Sequence, residues 1–273
     1  MFSASAIRQK FLKKLPALDA DILLQISSKK EKAFLLAHPE YKLNFLELLK
    51  FFCLLFRYRR GMPVAYLSGV KEFFGLNFFV NKFTLIPRPD TETLVEEAIA
   101  RINSEDFSIL IDVGTGSGCI PIAILKNIKN SVPAMASDIS YQALKIAEKN
   151  AKFHDTKISF YLGNLLEPIR DLPIGKLLIT ANLPYLTGEH VQAEPSLKME
   201  PRSALVAKEN GLALYRELLE QLGKLNRSFT ALFEFDPRQT KEFEVIIKKF
   251  FPQGKLKIKT DLAGRDRLAI LTN

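Results

Sequence analysis

The chain is predicted to be an α/β protein. A seven-strand Rossmann-like sheet, mostly parallel with an antiparallel edge, follows a small N-terminal helical domain joined to it by a short β-hairpin. Three observations predict this. Apolar residues recur at three- and four-residue spacing through residues 1–60, the period of helices. Short apolar runs alternate with amphipathic helical patterns from Thr91 onward, as in sheets covered on both faces. One run, 109–113, feeds directly into a glycine cluster.

At 273 residues the chain fits one large or two modest domains. Its 47% hydrophobic content is ordinary for a globular protein, and with 21 Phe and no Trp the aromatic packing falls largely to Phe. The net charge of +9 is concentrated, since residues 1–60 hold 12 Lys/Arg against 5 Asp/Glu. That asymmetry suggests an acidic partner, RNA or a ribosomal particle, against the plainer reading of solvated helix faces. Two cysteines, Cys53 and Cys119, fit a reducing compartment without disulfides, and a cytoplasmic location is expected. With His38, His154 and His190 they make no metal-ligand spacing, so no metal is expected. No secretory leader pattern is seen, and a monomer is expected. The most apolar stretch, 43–56, contains Glu47 and Lys50, is too short to span a bilayer and reads as a buried helix.

Taken in order, helices are expected over 7–12, 22–26, 34–36 and 45–56, with a break at His38-Pro39 and a basic connector over 57–62. From Pro63 the texture turns extended. Segments 76–80 and 83–86 predict a hairpin over 76–87, and the domains divide as 1–75 and 76–273. Strands are expected over 109–113, 132–138, 158–162, 177–181, 228–235, 256–260 and 267–271. Helices are expected over 94–102, 120–128, 141–153, 212–222 and 242–250.

The strand 109–113 ends in Gly114-Thr115-Gly116-Ser117-Gly118, which opens a helix. Glycines let the chain turn tightly and let a ligand approach the backbone. Asp138 ends the next strand, 22 residues past Gly116, where such folds place a carboxylate on two ribose hydroxyls. A nucleoside-triphosphate loop needs a Lys that is missing here, and a dinucleotide fingerprint needs glycine where Cys119 stands. The GxGxG spacing suits S-adenosyl-L-methionine, which has no pyrophosphate, and Asp112 suits a ligand bearing an ammonium group. After the third strand, Asn164 is placed to accept from an adenine amino group and Leu165 to pack on its ring.

The strand 177–181 ends in Asn182-Leu183-Pro184-Tyr185, on the same rim as the glycine loop. Methyl transfer from a sulfonium is an in-line displacement, so positioning dominates. A planar amide or exocyclic amine nitrogen is a poor nucleophile because its lone pair is delocalised. Two acceptors on its two N–H groups fix its plane and favour the charge developing on it. The Asn182 side-chain oxygen and the Leu183 carbonyl can serve, Pro184 restricts Leu183 to extended geometry, and Tyr185 offers a flat face. The nitrogen then loses a proton to water, so no dedicated base is needed.

These residues resemble the PrmC/HemK family, which methylates the glutamine side-chain amide in the GGQ motif of peptide-chain release factors. The resemblance runs through Pro63-Val-Ala-Tyr-Leu-Ser-Gly69, Glu72-Phe-Phe-Gly75, the Leu85-Ile-Pro-Arg88-Pro-Asp90-Thr-Glu92 run, the glycine loop, Asp138-Ile139-Ser140 and Glu200-Pro-Arg-Ser-Ala-Leu205 with Tyr215-Arg216. It implies a helical domain that helps engage the release factor, followed by a seven-strand methyltransferase domain. It implies that 114–118, Asp138, Ile139 and Leu165 contact S-adenosyl-L-methionine, with Asn182 bordering it. It implies that 182–185 grip the glutamine, with Arg88 and Glu92 lining its channel. Asp90 or Thr91 is also expected to cap the helix that follows.

The chain departs from the family at two points. The usual Asn-Pro-Pro-Tyr has Leu183 in second place, which resembles the motif of ribosomal RNA adenine-N6 dimethylases. An acidic residue is usual where Asn164 stands. Two alternatives therefore stand beside release factors as substrate: N-methylation of RNA adenine or of a ribosomal-protein glutamine, and a cofactor-binding docking module without catalysis.

Overall fold

Strands with no polar interruption on either face are stable only between covering layers. The computed structural model, which describes residues 2–12, 15–261 and 263–273, builds such layers in its second half. The chain divides into two compact units, residues up to 70 with 195–199, and residues 71–194 with 200–273. The division falls at residue 70 instead of the expected 75.

The first unit is helical. It comprises α1 (Ala4–Ile7) continued by a π-helical turn (Arg8–Leu12), α2 (Ala17–Ser28), α3 (Lys32–Ala37), α4 (Phe45–Arg59) and α5 (Val64–Ser68). Ile7, Leu23, Leu24, Leu35, Phe51 and Leu55 form its core. A capping box starts α4: the Asn44 side chain accepts from the Glu47 N–H at 2.9 Å, and Glu47 accepts from the Asn44 N–H at 2.8 Å. The stretch expected to be a buried helix is only half buried. Phe51, Leu54 and Leu55 face inward, whereas Phe45, Leu46, Leu49 and Phe56 are at least 60% exposed. Apolar residues at nearly every position give α4 more apolar faces than a small bundle can cover. The segment after Pro63 is helical, not extended, and ends at Gly69 in the left-handed conformation.

Strands β1 (Val70–Phe73) and β2 (Leu76–Phe79) form a two-stranded sheet. Their two-residue turn, Phe74-Gly75, has φ of +52° and +72°, as a type I′ turn requires. The hairpin therefore spans 70–79 and not the expected 76–87. Segment 83–86 is no strand, because the Asn81 side chain and carbonyl accept from the Phe83 and Thr84 N–H groups and close a turn.

The main sheet contains β3 (Ile109–Val113), β4 (Ala134–Asp138), β5 (Ser159–Leu162), β6 (Leu177–Ala181), β7 (Phe229–Glu234), β8 (Lys255–Thr260) and β9 (Asp266–Thr272). Their order is β5-β4-β3-β6-β7-β9-β8, with β9 antiparallel to both neighbours and the others parallel. The helices are α6 (Glu92–Ser104), α7 (Cys119–Asn127), α8 (Tyr141–Phe153), α9 (Gly188–Ala193), α10 (Ala213–Lys224) and α11 (Thr240–Phe250). On one face Leu218, Leu222, Phe243 and Ile247 of α10 and α11 pack with Ile111, Ile179 and Phe233. On the other, Leu94, Val95 and Ala98 of α6 and Ile122 of α7 pack with Leu110, Leu178 and Leu232. Because β3 lies between β4 and β6, the chain winds away in opposite directions from it, and a crevice opens at that switch point.

Asn150 of α8 ties the hairpin to the glycine loop. Its Oδ1 accepts from the Phe79 N–H at 2.7 Å, and its Nδ2 donates to the Phe79 carbonyl at 3.0 Å and the Ser117 carbonyl at 2.8 Å. Asn150 is fully buried, so truncation leaves three polar groups without partners. Asn150→Ala is expected to cost about 3 kcal/mol in urea unfolding, and a loss under about 1 kcal/mol would show that water replaces these bonds.

Candidate active site

Strand register decides which ends meet. Val113 pairs with Ser137 on one side and Ala181 on the other, and Ala181 pairs with Phe233. The residues that follow, Gly114, Asp138, Asn182 and Glu234, emerge on one rim. A crevice of about 340 Å³ opens there, lined by Gly114, Thr115, Gly116, Ser117, Asp138, Ile139, Asn164, Leu165, Asn182, Leu183 and Pro184, with Arg88 and Thr91 at one side.

The glycine loop is held from β4. Gly114 and Thr115 N–H both donate to the Ser137 carbonyl, and the Gly116 N–H donates to Asp138 Oδ2 at 2.8 Å. Asp138 Oδ1 accepts from the Ser140 N–H at 2.8 Å. Each Asp138 oxygen keeps a lone pair for a ligand, and burial raises its carboxyl above the usual range. Gly114 has φ of +72°, and a Cβ there would come within 2.8 Å of Leu183 Cδ2. Gly118 sits below the crevice as the left-handed N-cap of α7.

Opposite the loop, Asn164 Nδ2 donates to Glu217 Oε1 at 2.5 Å, which leaves Asn164 Oδ1 as an acceptor. The Leu165 carbonyl accepts from Ser137 Oγ at 2.6 Å, seating the Leu165 side chain in the wall. Beneath the loop, Thr180 Oγ1 donates to Asp112 Oδ1 at 2.7 Å, while Asp112 Oδ2 and Ser117 Oγ find no partner among the described residues. Burial pushes Asp112 up to about 7.

The tetrapeptide is anchored from behind. Asn182 Nδ2 donates to Thr91 Oγ1 at 3.0 Å and Glu234 Oε2 at 2.9 Å. The Tyr185 hydroxyl donates to Glu234 Oε1 at 3.1 Å, so this ring turns back from the crevice that Asn182, Leu183 and Pro184 line. The Leu183 N–H donates to the Tyr215 hydroxyl at 3.1 Å, and that hydroxyl donates to the Glu234 carbonyl. The Tyr185 carbonyl accepts from Gln239 Nε2 at 2.9 Å. No hydrogen bond from the described residues ends on Asn182 Oδ1 or on the Leu183 carbonyl.

Within the 88–92 run, Arg88 lies in the crevice wall, paired with the buried Glu200, which also accepts from the Ile86 N–H at 3.0 Å. Glu92 is outside the crevice and accepts from the Phe74 N–H at 3.0 Å, holding the hairpin turn. Neither Asp90 nor Thr91 caps α6. Asp90 pairs with Arg267 at 3.1 Å, and Thr91 serves Asn182, so tertiary partners outbid the local backbone for both side chains. Sequence reasoning assigned no role to Glu234 or Gln239, and named Tyr215 only within the resemblance, without a role. Glu234 alone carried a signal: a carboxylate closing an otherwise apolar central strand, on the ligand-bearing rim.

Residues 7–69 match the PrmC N-terminal domain family and residues 91–216 the methyltransferase small domain family. A release factor glutamine methyltransferase of Borreliella burgdorferi is 36% identical over 263 residues, covering 94% of this chain and 89% of that one. One of Dictyoglomus turgidum is 34% identical over 257 residues, covering 92% and 89%. The chain belongs to the release factor glutamine methyltransferase family. Among solved structures, the hMettl16 catalytic domain in complex with a MAT2A 3′UTR hairpin is similar in fold, with a TM-score of 0.58 at 16% identity, covering 96% of this chain and 92% of that one.

Membership in this family implies a methyl donor of the S-adenosylmethionine type, and the crevice suits one. Its volume accommodates a nucleoside. Asp138 offers lone pairs at a strand end and exposed Ile139 an apolar lid at the rim, while Asp112 lies fully buried beneath the loop and outside the crevice lining, where it can act on a cationic ligand only through space. Among the described residues no cluster of His, Cys, Asp or Glu is placed to hold a metal, and no helix is long and apolar enough to cross a membrane.

Gly211 packs under the tetrapeptide with φ of +91°, and an added Cβ there collides with the Tyr185 carbonyl and the Gln239 amide. Gly211→Ala should therefore cost about 3 kcal/mol in denaturant unfolding. A variant as stable as the parent would mean that 185–211 can shift freely.

Proposed function

We propose that this chain transfers a methyl group from S-adenosyl-L-methionine to the side-chain amide nitrogen of the glutamine in the GGQ motif of peptide-chain release factors. The names carried by its relatives support the substrate, and one observation supports the site. Both hydrogens of Asn182 Nδ2 are engaged behind the tetrapeptide, which leaves its Oδ1 free to accept, and Asn182 and Leu183, whose carbonyl receives no hydrogen bond from the described residues, both line the crevice.

In this reading Asn182 Oδ1 and the Leu183 carbonyl each accept one N–H of the substrate amide. They hold its plane and stabilise the positive charge that grows on nitrogen as the new C–N bond forms. When bound, the cofactor supplies an electrophilic methyl group. Asp138 would hold the ribose, Asn164 and Leu165 would border the base, and 114–117 would carry the methionine portion, with Gly118 beneath them starting α7. The methylated nitrogen releases its proton to water. Pro184 keeps Leu183 extended, Arg88 borders the substrate channel, and the helical unit up to residue 70 docks the release factor. The reaction takes place in the cytoplasm, where both cysteines remain free thiols.

Mass spectrometry of a GGQ domain incubated with the enzyme and cofactor should find one methyl group on glutamine. Methyl on ribosomal RNA adenine instead would assign the activity to RNA. Asn182→Ala is expected to lower transfer by about 10³-fold while cofactor affinity stays within a few-fold. Loss of cofactor binding alone would relocate its role. Asp112, near 7 in the free protein, is ionised in a complex with a cationic ligand. Affinity for S-adenosyl-L-methionine should therefore fall as pH drops through 7, and Asp112→Asn should bind with little pH dependence. An unchanged profile in that variant would remove Asp112 from the account.

A further inference from the structure

An asparagine side chain can present either its oxygen or its NH₂ group to a substrate, because the two differ only by a half-turn about the Cβ–Cγ bond. Methylation at this site needs the oxygen forward. The neighbours of Asn182 decide which end turns back. Thr91 Oγ1 discriminates only indirectly: a hydroxyl both donates and accepts, and its proton is itself drawn to Glu234. An ionised carboxylate only accepts. Glu234 Oε2 lies 2.9 Å from Asn182 Nδ2, and a half-turn would set Asn182 Oδ1 against that oxygen with no proton between them.

The rest of the Glu234 side chain is fully committed. Oε1 accepts from the Tyr185 hydroxyl at 3.1 Å, and the residue is 1% exposed, so water does not replace either contact. The Glu234 main chain contributes as well. Its carbonyl accepts from the Tyr215 hydroxyl, which in turn accepts from the Leu183 N–H at 3.1 Å. Fixing that N–H behind the tetrapeptide fixes the peptide plane between Asn182 and Leu183, and Pro184 restricts the backbone rotation of Leu183 that sets its carbonyl. Both acceptors are thereby referenced to one residue at the end of β7.

We propose that Glu234 is the positioning residue of this site: its carboxylate locks the Asn182 amide with Oδ1 toward the substrate, and its carbonyl, through Tyr215, orients Leu183. This rests on the assignment of Asn182 as the acceptor for the substrate amide.

The proposal makes the protonation state of Glu234 matter. Burial raises its carboxyl to about 7, opposed by hydrogen bonds from Thr91 and Tyr185 and by the charge of Arg267 on β9, while Asp90 before α6 raises it further. A protonated Glu234 can donate to Asn182 Oδ1, and the lock is lost. Glu234→Gln places the same ambiguity in the site permanently. The buried Tyr185 hydroxyl still needs an acceptor, which draws the glutamine oxygen toward Tyr185 and turns the glutamine NH₂ toward Asn182. Asn182 then reverses.

Glu234→Gln should lower kcat for methyl transfer to a GGQ domain at least about tenfold, with KM for that domain and Kd for the cofactor changed less than about threefold. Asn182→Ala is measured beside it. If Asn182→Ala is inactive and Glu234→Gln keeps a kcat within about twofold of the parent, the positioning role is wrong while the acceptor assignment stands. If Asn182→Ala retains full activity, the acceptor assignment itself fails. Should Glu234→Gln not fold, the parent protein still decides. The Asn182 side-chain amide signals in ¹⁵N NMR, assigned by their loss in Asn182→Asp, should move with a midpoint near 7. Signals that stay fixed while the Glu234 carboxyl, followed by its ¹³C resonance, titrates overturn the proposal.

Discussion

A carboxylate buried at the end of a central strand is the constraint on which the second unit turns. An isolated charge in such a place costs several kcal/mol, and it persists only where every lone pair has a partner. Glu234 obtains its partners from separate stretches of chain: Thr91 before α6, Asn182 and Tyr185 after β6, and the charge of Arg267 on β9. Arg267 is itself bridged to Asp90 at 3.1 Å and to Asp261 at 3.4 Å. None of these contacts survives a shift of its neighbours, so compensating one charge sets the rim of four elements at once. The same network explains why a polar tetrapeptide can follow a strand as apolar as β6 without collapsing into an arbitrary turn.

The opposite wall obeys a complementary rule. There the glycine loop and Asp138 are held by backbone N–H groups, and the space above them is left to a ligand. The two walls meet where the Leu183 side chain reaches Gly114, the position at which a Cβ would intrude. The family ordinarily has proline in place of Leu183. A leucine brings an additional N–H, which would be an unsatisfied donor in a buried turn, but Tyr215 accepts it. The departure is therefore accommodated within the site, and the carbonyl of this residue still receives no hydrogen bond from the described residues.

Much of the fold was legible because its determinants are local. Five-residue runs with one polar residue each, such as Ile109–Val113 and Leu177–Ala181, read as buried strands, and Gly114, Gly116 and Gly118 mark the turn that follows the first. That Gly114–Ser117, Asp138, Asn164 and Leu165 would meet at one crevice was legible for the same reason. The remainder depended on partners distant in sequence. Asp90 and Thr91 have the chemistry of helix caps and are used elsewhere, by Arg267 and Asn182. Glu92 belongs to the same run yet supports the Phe74 turn. The apolar residues at 83–86 suggested a strand, but Asn81 folds that segment into a turn. The composition of α4 showed that it was apolar without showing that one bundle could cover only one face of it. The orientation of Asn182 depends on Glu234, 52 residues later, and no local pattern reports it.

The central claim is that the end of one strand, β6, grips a planar nitrogen in front of the crevice that the glycine loop after the neighbouring strand, β3, opens to the cofactor. A crystal structure of the chain with S-adenosylhomocysteine and a glutamine-bearing GGQ peptide tests it most directly. The account predicts the substrate amide nitrogen within about 3 Å of both Asn182 Oδ1 and the Leu183 carbonyl, facing the sulfur of the bound nucleoside. A glutamine held by other groups, or an Asn182 amide whose NH₂ points at the substrate, would contradict it.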